Sequence, residues 1–458
     1  MNKLIEFSSE RLIYEPLGLK HLSNNYVKWL NDIDVIRFME SGGDYSIKKL
    51  EKYLINQERK KIFFWAIKLK KNGKHIGNIK IDPICKKNMS GEYGIMIGDK
   101  SEWGKGYAAE SSNRILKYCF DDLNLFKINL GVNIQNQKAI KLYESLGFVK
   151  YSDQNASSMK NTIRMYKSKY TRKIVLGTAQ FGMEYGINNK AGKISEKEIF
   201  NILNYSHSKG IRFLDTAESY GNSEEIIGKF HKINSDKKFK IYSKGYFGSS
   251  NLITSENVER NLSKLKIDKY EGYMIHNFNV LNDNKKLFNQ LEKIKKLGLI
   301  KNIGVSVYTN ENVKEIIDSS FFDFVQLPFN LLDNSKKRKL IIEQAKLAGI
   351  RVYARSLFLQ GLFFMPKSKL PKKLLPLNKY LDQLKKICMD NKVLMEDLSL
   401  NYVLGKNYID KVIFGVDNLD QLKRNINKVE KPQTLQCESV DSIDVIEKEL
   451  LNPVNWKL

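Results

Sequence analysis

The sequence predicts an α/β protein of two domains, the larger of which is a closed barrel of eight parallel strands. Three apolar runs in its second half end on polar residues, the first at Asp215, the second at Lys244 and the third at His276. The spacings are 29 and 32 positions, and about 30 residues is the length of one strand, one helix and their loops. In a β/α barrel the carboxyl ends of the strands meet at the face that carries the functional groups.

The alternation of strand and helix patterns continues to the end of the chain. Helical stretches such as 196–208 and 336–348 separate eight short apolar runs. These predicted strands are 173–178, 211–215, 239–244, 273–276, 301–306, 322–326, 351–354 and 411–414. Eight alternations close a (β/α)8 or TIM barrel, which we assign to residues 171–458.

A tyrosine follows the first of the polar strand ends, since residues 215–221 read Asp-Thr-Ala-Glu-Ser-Tyr-Gly. Together with Gly-Thr-Ala at 177–179 and Tyr-Gly-Asn-Ser-Glu at 220–224, the pattern resembles the aldo/keto reductase family. The resemblance implies a catalytic tetrad of Asp215, Tyr220, Lys244 and His276. Taken singly, each of them could be an ordinary structural residue: Asp215 a helix cap, Lys244 a solvated lysine and His276 a core histidine. The occurrence of all four in this order and at strand ends favours a catalytic site.

These four residue types suit the reduction of a carbonyl group. Hydride transfer leaves an alkoxide that needs a proton, a free phenol holds its proton too tightly near neutral pH, and a neighbouring ammonium favours the phenolate. Lys244 would supply that ammonium, and Asp215 would compensate its buried charge. Tyr220 is then the expected proton donor, while His276 would orient the carbonyl oxygen.

The same resemblance implies the residues that hold a nicotinamide cofactor. Ser306 and Gln326 match contacts to the carboxamide, and Ser356 matches a phosphate contact. Arg355 falls where many members stack an aromatic ring on the nicotinamide. A guanidinium there opposes the charge of the oxidised ring, so we expect a preference for the reduced cofactor.

The adenosine end departs from the family pattern. Asn425 matches an adenine contact, but Gly415 and Gln421 replace the lysine and arginine that typically grip the 2′-phosphate. Lys423 or Arg424 could substitute for them. The resemblance therefore favours NADPH, and the residues leave NADH open.

The first 170 residues carry a different signal. A predicted strand over 91–98 leads into a Gly-Lys-Gly turn at 104–106 and an amphipathic helix from about 108 to 120. Glycines let the backbone approach an anion, and the free N–H groups of a helix amino end hold it. A second strand–helix segment ends in Gly-Phe at 147–148. The pattern over 8–168 resembles the Gcn5-related N-acetyltransferases (GNAT), especially members that act on protein amino termini and on amino sugars. This resemblance implies the α/β fold of that family, with a mixed, mostly antiparallel sheet.

That likeness implies that acetyl-coenzyme A lies along residues 93–97. Tyr143 would protonate the departing thiolate, and Asn136 would help to hold the coenzyme. Ser101 replaces an arginine or glutamine usual in the family, which puts one phosphate contact in doubt. The diphosphate would rest on the backbone of Trp103, Gly104, Lys105, Gly106, Tyr107 and Ala108.

The general base of the transfer is less well defined by the sequence. Glu92, just before the coenzyme strand, is the candidate because the attacking amine must lose a proton. A solvated glutamate at a strand end is the alternative interpretation. Glu40 and Asp44 could instead contact the substrate.

Composition narrows the functional classes. The net charge is +26, but 65 of the 77 basic residues are lysines scattered along the chain, whereas nucleic-acid interfaces rely on arginine. We therefore expect no nucleic-acid role and an attraction for anionic substrates.

No apolar run approaches the roughly 20 residues that span a bilayer, and the amino-terminal residues lack a signal-peptide pattern, so a cytoplasmic protein is expected. The four cysteines form no Cys-x-x-Cys pair, and no metal site is predicted.

These observations predict a bifunctional enzyme, an acetyl-coenzyme A dependent N-acetyltransferase fused to an NAD(P)H-dependent carbonyl reductase. Amino or keto sugars carried on nucleotides, as in surface glycan synthesis, would offer both reactive groups to one protein. Two alternatives stay open: acetylation of protein amino termini beside general aldehyde reduction, and a cofactor-binding redox sensor without turnover. The sequence leaves the oligomeric state undefined.

Overall fold

The computed structural model describes residues 4–39, 42–60, 62–151, 161–189, 192–245, 253–281, 285–432 and 438–456. The chain divides into two compact units, Met1–Lys169 and Tyr170–Leu458. A mixed sheet organises the first unit and a closed parallel barrel the second, so the predicted fold class is confirmed.

The first unit is built on an eight-stranded sheet in the order β1-β2-β3-β4-β5-β6-β8-β7. Neighbouring strands are antiparallel except for the parallel pair β5 and β6. The strands are β1 Phe7–Ser8, β2 Leu12–Pro16, β3 Phe63–Leu69, β4 His75–Cys85, β5 Ser90–Ile97, β6 Lys127–Asn133, β7 Val149–Tyr151 and β8 Thr162–Ser168. The helices are α1 Asn24–Asn31, α2 Ile33–Ile36, α3 Ile47–Lys60, α4 Tyr107–Asp121 and α5 Gln137–Ser145.

Both faces of this sheet are covered. Successive side chains of a strand point to opposite faces, and β3 shows this directly. Trp65 belongs to a core that includes Ile115 of α4, while Phe64 and Ala66 belong to a second core that includes Leu50 of α3. The sheet therefore lies between two helical layers.

Strands β5 and β6 separate soon after they begin. They pair from Ser90↔Lys127 only as far as Glu92↔Asn129, whereas β4 accompanies β5 as far as Ile97. Beyond Glu92, one edge of β5 is therefore not paired with β6. This edge is the segment along which the sequence predicts the acetyl-coenzyme A site.

The second unit is a barrel in which each strand is parallel to its neighbours and the eighth returns to the first through the pairing Val412↔Ile174. The strands are β9 Ile174–Gly177, β10 Phe213–Asp215, β11 Lys240–Gly245, β12 Gly272–Ile275, β13 Ile303–Ser306, β14 Phe324–Pro328, β15 Arg351–Arg355 and β16 Lys411–Phe414. The helices are α6 Ala179–Gly182, α7 Glu196–Ser208, α8 Ser223–Ile233, α9 Ser255–Leu265, α10 Lys285–Lys296, α11 Asn310–Ser319, α12 Ser335–Leu347, α13 Asn378–Asn391, α14 Met395–Leu404, α15 Leu419–Glu430 and α16 Glu438–Asp441.

Side-chain caps fix where several barrel helices begin. Ser195, Thr254, Thr309 and Asn418 each accept a hydrogen bond from a backbone N–H in the first turn of the following helix. Such caps satisfy amide donors that have no partner within the helix. They therefore fix the positions at which the loops from the preceding strands end and the helices begin.

Large aromatic residues fill the barrel interior. The ring of Phe324 in β14 stacks on that of Tyr353 in β15, with centroids 4.7 Å apart. Glycines on β13 and β12 make room for it, since a Cβ added at Gly304 or Gly272 would lie 2.4 or 2.8 Å from the Phe324 ring. Within the described residues, no helix combines the length and the apolar character needed to cross a membrane.

Helices α8 and α9 approach each other closely at Gly228. A Cβ added there would lie 1.8 Å from the backbone oxygen of Lys264, and a backbone atom cannot rotate away as a side chain can. We expect Gly228→Ala to destabilise the barrel by about 1–3 kcal/mol, measured as a lower midpoint of its urea unfolding transition. Lys229→Ala is the matched control, because its exposed ion pair with Glu196 should change stability by less than about 0.5 kcal/mol. A wild-type midpoint for Gly228→Ala would contradict the close packing.

Candidate active sites

Four polar side chains meet at the carboxyl ends of β10, β11 and β12. Asp215 and Lys244 lie on the first two strands, His276 directly follows the third, and Tyr220 lies in the loop before α8. The Nζ atom of Lys244 is 2.6 Å from Asp215 Oδ2 and 3.4 Å from the hydroxyl oxygen of Tyr220. The rings of Tyr220 and His276 are nearly perpendicular, with centroids 6.2 Å apart. All four side chains line one cavity, so the structure brings the predicted tetrad together.

The ammonium of Lys244 is buried but fully bonded. Lys244 is 2% exposed and Asp215 is 4% exposed. The Lys244 ammonium donates to Asp215, to the Thr216 carbonyl at 3.0 Å and to Tyr220. Burial by itself lowers the pKa of Lys244, but the negative charge of Asp215 and the interaction with Tyr220 outweigh it and the pKa is raised. The lysine therefore remains an ammonium near neutral pH.

The imidazole of His276 is held in its neutral form. Burial lowers its pKa to about 4, and the positive charge of Lys244 acts in the same direction. The hydroxyl of Ser219 lies 3.5 Å from Nδ1. A neutral imidazole can donate one N–H to a carbonyl oxygen without adding charge to the site.

Gln326 links Asp215 to the wall of the cavity. It is 1% exposed, and its Nε2 donates to Asp215 Oδ1 at 2.8 Å. Its Oε1 is buried and has no hydrogen-bond partner among the described residues, which is unusual for a buried polar atom. The carboxamide of a nicotinamide ring carries an NH2 donor that would satisfy this oxygen. The residues present at this point therefore fit a nicotinamide cofactor.

The cavity has a volume of about 510 Å³, within the usual range for sites that bind small molecules. It extends from the four polar side chains to the loop after β16 and to α15. The predicted cofactor residues all line it, namely Ser306, Gln326, Arg355, Ser356, Gly415 and Asn425. Their individual roles stay predictions.

Arg355 makes contacts that the sequence did not indicate. Its guanidinium lies over the ring of Tyr308, 4.2 Å from the centroid, and Nη2 donates to the Val307 carbonyl at 3.1 Å. Its Nε is buried without a partner in the described part of the chain. Tyr308 was missed because it is 47 positions away from Arg355 in the sequence, on the loop after β13.

In the first unit, the predicted phosphate turn has an open backbone. Gly104 and Gly106 adopt φ values of +77° and +82°, which glycine tolerates without strain. A Cβ added at Gly104 would meet no atom within 4 Å, and α4 begins at Tyr107 without a side-chain cap. The amide donors of the first turn of α4 therefore remain available to an anion.

Arg11 holds this turn in place and was missed in the sequence. Its Nη1 donates to the Lys105 carbonyl at 3.0 Å, and its Nε donates to Glu110 at 2.7 Å. Its guanidinium also lies over the Tyr107 ring, 4.6 Å from the centroid. On the other side, the indole of Trp103 donates to the Ile97 carbonyl at 2.8 Å. Trp103 and Tyr107 are thus anchored, whereas Lys105 pairs with Glu102.

Tyr143 lies beside the separated edge of β5. Its ring packs against those of Tyr93 and Phe148, with centroids 5.9 and 5.8 Å away. Burial raises the pKa of Tyr143 to about 12, so the phenol keeps its proton. Asn136 caps α5 by accepting from the Ala139 amide at 3.2 Å, and it therefore also has a structural role.

Glu92, the predicted base, is engaged in an ion pair. Arg164 donates to both of its carboxylate oxygens, at 2.6 and 2.9 Å. Such a pair must open before the carboxylate can accept a proton from an amine, so the geometry argues against Glu92, which stays a prediction. Asp44 is exposed and pairs with Lys49 at 3.1 Å, and Glu40 lies outside the described residues.

Two family models match this chain. The model described as the aldo/keto reductase family covers residues 173–448, and the one described as an acetyltransferase (GNAT) domain covers residues 11–149.

Individual relatives divide in the same way. The oxidoreductase YqkF of Bacillus subtilis is 26% identical over 278 residues, which are 56% of this chain and 90% of that protein. A spermidine N(1)-acetyltransferase of Vibrio cholerae is 43% identical over 74 residues, which are 16% of this chain and 42% of that enzyme. The holo form of aldo-keto reductase AKR11C1 from Bacillus halodurans superposes with a TM-score of 0.48 at 20% identity, covering 65% of this chain and 97% of that one. The acetyltransferase match thus spans less than half of the relative's length.

The neutral state of His276 can be tested by titration. We expect its imidazole to titrate near pH 4, below the usual value of about 6.5, because the charged form is desolvated and close to Lys244. The measurement is the pH dependence of the histidine ring signals in NMR spectra, in which His276→Gln identifies one signal among five histidines. A midpoint for this signal near 6.5 would show that the imidazole is solvated and that the site is more open than described.

Proposed function

The chain belongs to the aldo/keto reductase family and also carries a GNAT acetyltransferase domain, and from this premise we propose that it is a bifunctional enzyme acting on amino-deoxy sugars carried on nucleotides. The barrel reduces a carbonyl group with a nicotinamide dinucleotide, and the first unit transfers an acetyl group to an amine. The observation that carries the reductase assignment is the buried contact of Lys244 with both Asp215 and Tyr220.

In the reduction, Tyr220 gives its proton to the carbonyl oxygen. The ammonium of Lys244 stabilises the phenolate that remains, and Asp215 holds the ammonium in position. The neutral His276 donates a hydrogen bond to the same carbonyl oxygen and fixes its orientation. The bound cofactor supplies the hydride.

Cofactor binding is the task of the remaining residues of the cavity. Gln326 and Ser306 would hold the nicotinamide carboxamide, for which the unpaired Oε1 of Gln326 is the supporting observation. Ser356 would contact a phosphate. Because Gln326 also donates to Asp215, the cofactor and the proton donor share one hydrogen-bonded network.

In the acetyl transfer, the acceptor amine attacks the thioester carbon and the coenzyme A thiolate leaves. Tyr143 protonates this thiolate, and its protonated state near neutral pH supports that role. The turn at 103–108 holds the diphosphate, and the gap between β5 and β6 receives the thioester. Since Glu92 is paired with Arg164, we propose that the proton of the amine leaves through water.

The substrate class follows from the presence of both activities in one chain. An amino-deoxy sugar offers an amine to acetylate and a carbonyl or hydroxyl group to interconvert. Its nucleotide carrier is anionic, and the net charge of +26 favours the approach of such substrates. Such sugars are precursors of surface glycans.

Polyamines are a second acceptor class, suggested by the similarity to spermidine acetyltransferases. A polycation needs carboxylates that are free of cationic partners. Glu92, the carboxylate at which β5 separates from β6, is instead paired with Arg164. We therefore place amino sugars before polyamines.

Replacing the proton donor should separate catalysis from cofactor binding. We expect Tyr220→Phe to lower kcat for carbonyl reduction by about 10²–10⁴-fold, the usual contribution of general acid catalysis, while the Kd of the cofactor changes little. The rate is followed by the absorbance of the reduced nicotinamide, and the Kd by its fluorescence. Tyr205→Phe, on α7 outside the cavity, is the matched control. Unchanged turnover in Tyr220→Phe would remove Tyr220 from the mechanism.

The substrate class is tested by mass spectrometry. The protein is incubated with acetyl-coenzyme A, NADH or NADPH, and a panel of nucleotide-linked amino and keto sugars, with spermidine and a ribosomal amino-terminal peptide for comparison. We expect one sugar nucleotide of the panel to gain an acetyl group, and the same or another sugar nucleotide to gain two hydrogen atoms. Tyr143→Phe should impair only the first change and Tyr220→Phe only the second. Acetylation of the peptide or spermidine, and of no sugar, would contradict the proposal.

A further inference from the structure

The end of the barrel cavity formed by the loop after β16, α14 and α15 carries two carboxylates, Asp417 and Glu396. With these carboxylates, this end of the cavity is lined by Gly415, Gln421, Arg424 and Asn425. It is the end at which the adenosine half of a nicotinamide dinucleotide is predicted to bind. Its charge therefore bears on whether the cofactor carries a 2′-phosphate.

Asp417 is held in a defined orientation. Its backbone N–H donates to Gln421 Oε1 at 2.8 Å, and Gln421 Nε2 donates to Asp417 Oδ2 at 3.1 Å. Neither Asp417 nor Glu396 forms an ion pair with a described residue. Both carboxylates thus remain able to accept further hydrogen bonds.

Cations are scarce at this end. Arg424 is the only basic residue among the described residues of the lining there. Lys423 is exposed and lies 3.5 Å from Asp420, and Lys428 is bound to Asp397 at 2.6 Å. Two carboxylates and one guanidinium therefore line this end of the cavity.

Gly415 contributes no side chain to this wall of the cavity. A Cβ added at Gly415 would lie 2.5 Å from the Oε1 atom of Gln180. The Gln180 amide thus occupies the space that a longer side chain would enter. The loop after β16 contributes an acid at 417 and no base on this wall.

We propose that Asp417, assisted by Glu396, selects NADH over NADPH, an inference that rests on the proposed reductase function. A phosphate monoester carries about −1.5 to −2 charges near neutral pH, and the two carboxylates would repel it. A ribose with a free 2′-hydroxyl instead donates a hydrogen bond to a carboxylate. This reverses the expectation of NADPH drawn from the family resemblance.

The test is the pair of dissociation constants for NADH and NADPH, measured by cofactor fluorescence with the full-length protein. We expect the wild type to bind NADH at least about tenfold more tightly than NADPH. Asp417→Asn keeps the shape of the side chain and should tighten NADPH binding by about tenfold, with little gain for NADH. Glu396→Gln should act in the same direction and remains informative if Asp417→Asn does not fold. Asp420→Asn removes an exposed carboxylate on α15 outside the cavity lining and should leave the NADPH constant unchanged.

Three outcomes would overturn the inference. They are tighter binding of NADPH by the wild type, an unchanged preference in both carboxylate variants, and an equal gain of NADPH affinity in Asp420→Asn. The failure of both cofactors to bind the wild type would instead overturn the reductase assignment on which the inference rests. Thermal unfolding midpoints verify that each variant is folded.

Discussion

The buried ion pair of Lys244 and Asp215 is the constraint on which the barrel site depends. Removing two charges from water is costly, and a buried pair is tolerated only when its remaining donors and acceptors are also bonded. Here the Thr216 carbonyl and the Tyr220 hydroxyl take the other bonds of the ammonium, and Gln326 takes the second oxygen of the carboxylate. The pair itself lies on β10 and β11, and its partners come from β14 and the loop after β10, so the pair is satisfied only when these parts of the barrel are assembled.

The packing below this polar layer makes it rigid. Gly272 and Gly304 let the ring of Phe324 cross the interior and stack on Tyr353, and the hydroxyls of Tyr353 and Tyr242 lie 3.2 Å apart. Interiors packed in this way have few alternative arrangements. The strand ends that carry Asp215, Lys244 and Gln326 are therefore fixed by the apolar layer beneath them.

What the sequence could predict was determined by the range of the interactions. Strand spacing is a local property, so the positions of Asp215, Lys244 and His276 at strand ends followed from the sequence, and so did the turn around Gly104. Pairings between distant residues did not. Gln326 meets Asp215 across 111 positions, Arg11 meets Glu110 across 99, and Arg164 meets Glu92 across 72. Nothing in a single sequence marks such partners, and the last of them weakens the assignment of Glu92 as the base.

The two units place a phenol in two different electrostatic environments, and the two proposed reactions would use them differently. Tyr143 packs against Tyr93 and Phe148, and its burial raises the pKa of the phenol to about 12, so the proton stays on the oxygen near neutral pH. In the proposed acetyl transfer the coenzyme A thiolate is a weaker base than the Tyr143 phenolate, so a phenolate formed there regains its proton and needs no cation beside it. In the proposed reduction, Tyr220 protonates an oxygen that becomes strongly basic during hydride transfer, and a phenolate stays behind. The ammonium of Lys244 lies beside the Tyr220 oxygen and would stabilise that anion, which gives the costly buried pair of Lys244 and Asp215 its place in the proposed mechanism.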